Sequence, residues 1–209
     1  IKKIEKGRII LHACIYPPRG EIVLKKLVND IYQIKNLKNM TYEVSDGNYW
    51  SGLLPHGNKT YCCPVGWTRF GIQVTRTQDE FDKRWGNWYV AYHGTKSSVA
   101  SLIVNSGLKA ANDYCWTKRP CVYLSPSIEY CAYSRYAEPW KRSKNQQREQ
   151  KYYQLVFQCC VNPRLVSINP ETILRNEQRS LYKIDNNFSN DELEWIIDGY
   201  IENLFSKIL

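Results

Sequence analysis

Three short stretches of this chain carry side chains that can do chemistry. His93-Gly94-Thr95 closes an apolar run at 88–92 and precedes a segment with helical periodicity. Ligands gather at such strand ends, and a glycine there lets the backbone approach a ligand closely. Further on, Val122-Tyr123-Leu124 reads as a short strand delivering one tyrosine. Ser125-Pro126-Ser127-Ile128-Glu129-Tyr130 then reads as a capped helix with Ser127 and Tyr130 on one face. Near the C-terminus, Glu192-Leu193-Glu194-Trp195-Ile196-Ile197 reads as a strand. Period-two alternation places Leu193, Trp195 and Ile197 on one face and Glu192 and Glu194 on the other. Two carboxylates on one face of an apolar strand need a reason.

The elements that must position these groups follow from local patterning. Residues 8–16 are rich in β-branched side chains and end at Pro17-Pro18-Arg19-Gly20, which predicts a strand and a turn. Over 21–33, Leu24, Leu27, Val28 and Ile31 recur at helical spacing and predict one buried stripe. Residues 36–60 are polar, with Asp46-Gly47 and His56-Gly57 as turn signals, and read as loops. Strands are expected at 70–75, 88–93, 121–124, 153–161 and 193–197. One helix should be capped by Thr95 or Ser97, bury Val99, Leu102 and Ile103, and stop at Gly107. A second should take Ser125 as cap and Pro126 as its first residue, and run to Ala137. Residues 141–151 hold five basic side chains, one acid and no apolar anchor, the composition of a solvated loop.

Composition narrows the class. The chain has 209 residues, 43% hydrophobic and 13% aromatic, which excludes disordered and collagen-like readings. Its apolar runs fall far short of the roughly 18 residues needed to cross a bilayer, so no membrane partner is expected. It opens on Ile1 with no charged-then-apolar leader, and is read as an excised or processed product. Lys and Arg (29) exceed Asp and Glu (20), giving a net charge of +9 that favours anionic partners such as nucleotides, nucleic acid or acidic protein surfaces. Eight cysteines show no C-x-x-C spacing and include two adjacent pairs in apolar segments. They read as reduced thiols of an intracellular protein, cytoplasmic or nuclear, with no metal site.

His, then Tyr with Ser-x-x-Tyr, then Glu, in this order, resembles the His-Tyr-Glu signature of the diphtheria-toxin-like ADP-ribosyltransferases, the fold of the poly(ADP-ribose) polymerase catalytic domain. Within that group, Cys63-Pro64-x-Gly66-Trp67-x-Arg69-Phe70, Tyr92-His93-Gly94-Thr95, residues 123–130 and Gln158-Cys159-x-Val161-x-Pro163 look like the ADP-ribosyltransferase-like region of neuralized-like proteins. The resemblance covers residues 61–198. It implies an α+β fold: two packed, mainly antiparallel β-sheets with short flanking helices around an NAD cleft. The expected organisation is an N-terminal strand–helix extension over 1–60 and a catalytic domain over 61–209. Two features depart from the polymerase relatives: the Tyr123 to Ser127 interval is shorter, and Pro120-Cys121 stands where they have glycines.

The resemblance implies a mono-ADP-ribosyltransferase that uses NAD as substrate and transfers ADP-ribose to a protein or nucleic-acid acceptor. His93, Tyr123 and Glu194 would be catalytic, with His93 on a ribose hydroxyl. Gly94, Thr95, Ser127 and Tyr130 would bind NAD: Gly94 and Ser127 at the nicotinamide amide, Tyr130 stacked on the ring. Glu192 would orient the acceptor. The chemistry suits these residue types, because cleaving the nicotinamide bond builds positive charge on the ribose that a nearby carboxylate stabilises. An aromatic face suits a flat cationic ring. Two alternatives share the fold. One is an inactive module binding NAD, ADP-ribose or a partner, against which the retained His93, Tyr123 and Glu194 argue. The other is an RNA 2′-phosphotransferase, whose arginine-rich site has no counterpart assigned in this sequence.

Overall fold

The computed structural model describes residues 8–15, 41–44, 53–62, 64, 67–73, 75–110, 120–141, 152–170 and 183–198. In chain order they form β1 (Arg8–Ile15), β2 (Thr41–Val44), β3 (Leu53–His56), β4 (Lys59–Cys62), β5 (Thr68–Gln73), α1 (Gln78–Trp85) and β6 (Tyr89–Thr95). There follow α2 (Ser97–Ser106), β7 (Cys121–Leu124), α3 (Ile128–Cys131), β8 (Trp140–Lys141), β9 (Tyr152–Val161), β10 (Ser167–Asn169) and β11 (Glu194–Asp198). A large sheet has the order β2-β5-β1-β9-β6, with β8 also on β9; a smaller one has β10-β11-β7; β3 and β4 make a hairpin. Among the described residues every pairing is antiparallel and the helices are few, which is an α+β arrangement.

The large sheet is buried on both faces at β6 and β9, which explains the near-continuous apolar runs of these strands. On one face, Val90, Tyr92 and Val156 pack with Tyr61, Trp67, Ile128, Cys131 and Ala137. On the other, Ala91 and Val161 pack with Leu108 and with Val122, Leu124, Trp195 and Ile197 of the small sheet. The two sheets also meet edge to edge. Tyr92 N–H donates to Ser125 O at 2.7 Å, and Ser125 N–H donates back to Tyr92 O at 3.0 Å.

Several expectations are corrected. Strand β1 lies between β5 and β9, so residues 8–15 are part of the large sheet and the boundary expected at residue 60 cuts through it. Three short strands, β2, β3 and β4, occupy parts of the stretch read as loops; the turn at Gly57 joins two of them, with Gly57 and Asn58 both at positive φ. Helix α1 falls where no element was expected. In α2 the buried side is Val104, with Ile103 packing on the core, while Val99 and Leu102 face outward. Its end at Gly107, φ 75°, is as expected. The second helix starts two residues late, because the backbone of Ser125 is committed to Tyr92 and only Ser127 is left to cap. It ends at Cys131 and gives way to turns before Ala137. The helix expected at 21–33 and all but the first residue of the basic stretch at 141–151 lie outside the described residues.

Candidate functional site

His93 sits near the end of β6, on the face that alternation assigns to Ala91 and Thr95, which looks toward the small sheet. Its Nδ1 lies 2.9 Å from Tyr123 O. A carbonyl oxygen only accepts, so the ring proton is on Nδ1 and Nε2 of the neutral ring is an acceptor. Burial pushes the His93 pKa below its ordinary value, with the bond to Tyr123 opposing, which favours that neutral form.

Gly94 is on the opposite face, under the turn that follows α3. A Cβ there would collide with Cys131 O and lie 2.9 Å from Tyr136 Cβ, so only glycine permits this approach. Residues of one parity send their backbone polar groups to the same strand edge. Gly94 therefore shares with Tyr92 the edge turned away from β9, and its N–H meets the Cys131 sulfur. The Cys131 thiol donates to Tyr92 O at 3.2 Å, and burial pushes it up to about 12.

Helix α3 is a single turn organised by serines. Ser127 caps it, accepting from Tyr130 N–H at 3.1 Å, and Ser127 N–H donates to Ser125 Oγ at 3.1 Å. The Ser127 hydroxyl donates to Asp185 Oδ2 at 2.5 Å. Asp185 Oδ1 in turn accepts from Asn187 N–H at 2.8 Å and Asn187 Nδ2 at 3.1 Å. Ser127 and Asp185 are 1% and 7% exposed, so this network lies within the protein. The neighbouring Glu129 carboxyl is raised by partial burial and by the Asp185 charge.

Glu194 opens β11 and is 2% exposed. It lies directly across from Asn169 of β10, whose Nδ2 donates to Oε1 at 2.7 Å. The Tyr130 hydroxyl donates to Oε2 at 2.8 Å. Tyr130 has a single hydroxyl proton and it is spent on Glu194, so Tyr136 is the donor in the 2.7 Å contact between the two hydroxyls. The order Tyr136, Tyr130, Glu194 is thus directional. Burial raises the Tyr130 pKa far above its ordinary value, with Tyr136 and Glu194 adding to it; burial likewise pushes Tyr136 up to about 12.

The structure brings together most of the residues singled out by sequence. Tyr123 pairs with Ile196, and alternation puts their side chains and that of Glu194 on one face of the small sheet. Tyr130 bonds Glu194, Ser127 caps the helix carrying Tyr130, and His93 bonds the Tyr123 backbone. Thr95 is buried two residues beyond His93. No hydrogen bond joins His93 directly to Glu194 among the described residues.

Glu192 is the exception. It belongs to a 3-10 turn, Asn190–Glu192, and is exposed. Its Oε2 accepts from Ser189 N–H at 3.2 Å and Ser189 Oγ at 3.0 Å, completing a capping box. It therefore shares no strand face with Glu194. Leu193 likewise leaves the alternation and packs with Tyr130 and Phe188. Sequence reasoning missed Asn169, Tyr136 and Asp185. The Asp185-Asn186-Asn187 turn chemistry was the one local signal available.

Among the described residues no helix is long and apolar enough to cross a membrane, and no group of His, Cys, Asp and Glu could hold a metal ion. No protein-family model matches the chain, and no solved structure matches it.

Proposed function

We propose that this chain is an NAD-dependent mono-ADP-ribosyltransferase acting on a protein or nucleic-acid acceptor. The observation that carries the reading is Glu194. A carboxylate 2% exposed, held by Asn169 and Tyr130, is costly unless it has a task. Supporting the reading are the Tyr130 link to Glu194, the Ser127 cap beneath it and the hydrogen-bonded His93 across the seam. In the reaction the bond between ribose C1′ and the nicotinamide nitrogen breaks, its electron pair leaves with nicotinamide, and an acceptor nucleophile bonds C1′ and gives up its proton.

Each residue then has a defined part. His93 Nε2, as an acceptor, takes a hydrogen bond from a ribose hydroxyl. A carboxylate offers about four acceptor positions, and two at Glu194 are used, which leaves room for a second ribose hydroxyl while the charge faces the reacting carbon. Gly94 offers its backbone carbonyl at the edge turned away from β9, its N–H being directed at the Cys131 sulfur. Half-buried His93, Gly94, Tyr123 and Tyr136 form the approachable side of the cluster.

Incubation with NAD labelled in the adenosine half, with free nicotinamide measured in parallel, tests the proposal. Nicotinamide release together with label on protein or nucleic acid is expected. Absence of release, and of any thermal shift at millimolar NAD, would discard it.

A further inference from the structure

We infer that the hydroxyls of Tyr130 and Tyr136 form the proton outlet of Glu194, carrying to the surface the proton that the nucleophile gives up. The inference rests on the transferase reading above, in which Glu194 is the carboxylate at the reacting carbon and takes that proton as a base. A carboxyl group 2% exposed cannot hand its proton straight to bulk water. It must pass it to a neighbour and be ionised again before the next cycle.

Glu194 has two hydrogen-bond partners among the described residues, and one of them can carry a proton. The Asn169 amide nitrogen, 2.7 Å from Oε1, donates but does not accept, so that side is closed. A phenol does both. Tyr130, itself 3% exposed, stands 2.8 Å from Oε2 and has the Tyr136 hydroxyl 2.7 Å beyond it. Tyr136 is half-buried and follows the exposed Ser134 and Arg135 in the turn after α3, so the chain of hydroxyls ends at the surface. Strand β9 holds that turn at both ends: the Gln154 side chain donates to Ala132 O at 2.6 Å and to Ala137 O at 2.8 Å.

The protons balance. With a proton on Glu194 Oε2, both phenols rotate, so that Glu194 donates to Tyr130, Tyr130 to Tyr136 and Tyr136 to water. Three concerted shifts then take the Glu194 proton to the Tyr130 oxygen, the Tyr130 proton to Tyr136 and the Tyr136 proton to water. Each phenol gives one proton and receives one, a single proton leaves, and Glu194 is a carboxylate again. Tyr136 now donates to Tyr130 and Tyr130 to Glu194, which is the order found in the structure. Neither phenol ionises, in keeping with burial raising both pKa values.

Rapid-quench measurement of nicotinamide release from NAD, with water as the nucleophile, tests the outlet. The first turnover starts with Glu194 ionised; later ones wait for its proton to leave. Tyr136→Phe keeps the ring, packed 5.1 Å from that of Tyr130, and removes the outlet. The ratio of first-turnover to steady-state rate should rise about tenfold over wild type. Tyr136→Ala removes more packing but opens a space beside the Tyr130 hydroxyl that water can fill, so its ratio should fall back toward the wild-type value. A structural role for Tyr136 would give the reverse order, with alanine the worse of the two. An unchanged ratio in Tyr136→Phe, or a ratio at least as high in Tyr136→Ala, would overturn the inference. Should Tyr136→Phe not unfold cooperatively, Gln154→Leu takes its place, since it frees the turn from both bonds to β9; an unchanged ratio there is equally decisive. A wild type that neither releases nicotinamide nor is heat-stabilised by NAD would instead reject the parent reading, and the inference with it.

Discussion

The hydroxyl of Tyr130 and the carboxylate of Glu194, 64 residues apart in sequence, stand 2.8 Å apart. One comes from a single-turn helix and the other from the first residue of a strand, so the contact exists only when both elements are seated.

Removing the hydroxyl should therefore be felt as lost stability. Tyr130→Phe keeps the ring and leaves Glu194 Oε2 short of a donor in a dry setting. The expected cost is about 1–3 kcal/mol in urea unfolding, the range for stranding a buried acceptor. Tyr136→Phe should cost less, because Tyr136 is half-buried and water can replace its hydroxyl. Equal costs would mean the two tyrosines act as one unit.

Glu194→Gln should separate folding from turnover. The new amide can donate to the Tyr130 oxygen if that hydroxyl rotates to donate to Tyr136, while the remaining oxygen still accepts from Asn169. The fold should persist, with nicotinamide release lower by on the order of 100-fold or more, since the charge opposing the ribose is gone. Full turnover in this variant would end the catalytic claim for Glu194.

His93 gives a pH signature. Its folded pKa lies below the ordinary 6.5, chiefly because burial disfavours the cation. As pH falls below 6.5 the unfolded chain takes up a proton that the folded chain refuses. The contribution of His93 to stability is thus present above 6.5 and lost as pH falls toward the folded pKa. The chain has 3 His, so proton-detected NMR resolves each ring, with His93→Gln assigning the resonance. The Nδ1–H tautomer and a midpoint under 6.5 are expected; a midpoint above 6.5 would contradict the burial argument.

Gly94→Ala should be strongly destabilising, by about 3 kcal/mol, because the new methyl meets the Cys131 carbonyl rather than a movable side-chain tip. Thermal denaturation reads this directly. A neutral effect would show that the turn after α3 can lift away from β6.

Glu192→Gln should do little. Glutamine serves the same capping position, so the stability change should stay within about 0.5 kcal/mol and both NAD cleavage and transfer should survive. Loss of transfer alone would return Glu192 to an acceptor-orienting role.

What could be read from the sequence was what local chemistry dictates. His93 at the end of an apolar run, the Ser127-x-x-Tyr130 spacing and Gly107 as a helix stop each need only a few neighbouring residues to be legible. β7 was expected with its observed bounds, and β6 and β9 to within one or two residues. The misses have two causes. Some signals were present and outweighed: Ser189-x-x-Glu192 is a capping-box pattern, which binds Glu192 to a helical turn before the strand can begin. Thr77-x-x-Glu80 likewise marks the start of α1, with Glu80 N–H donating to Thr77 Oγ1 at 3.2 Å. Others had no local trace. Asn169 becomes a partner of Glu194 only through the pairing of β10 with β11, and Asp185 reaches Ser127 across 58 residues. Exposure of Val99 and Leu102 was equally invisible, because helical period fixes which residues share a stripe but not which stripe faces the core.

The central position of β1 governs when this protein can fold. Ile10 lies opposite Gly71 of β5 on one side and opposite Gln158 of β9 on the other, so the strand waits for β9 to be synthesised. At 5–20 residues per second, that wait is roughly 10–30 s on the ribosome. During it, one edge of β1 has no β9 to pair with and is open to any other strand, the condition under which chains pair wrongly or aggregate. The large sheet is closed by contacts distant in sequence, which places the protein among slow folders. A nascent chain halted before β9 therefore has neither a completed sheet nor a seat for His93.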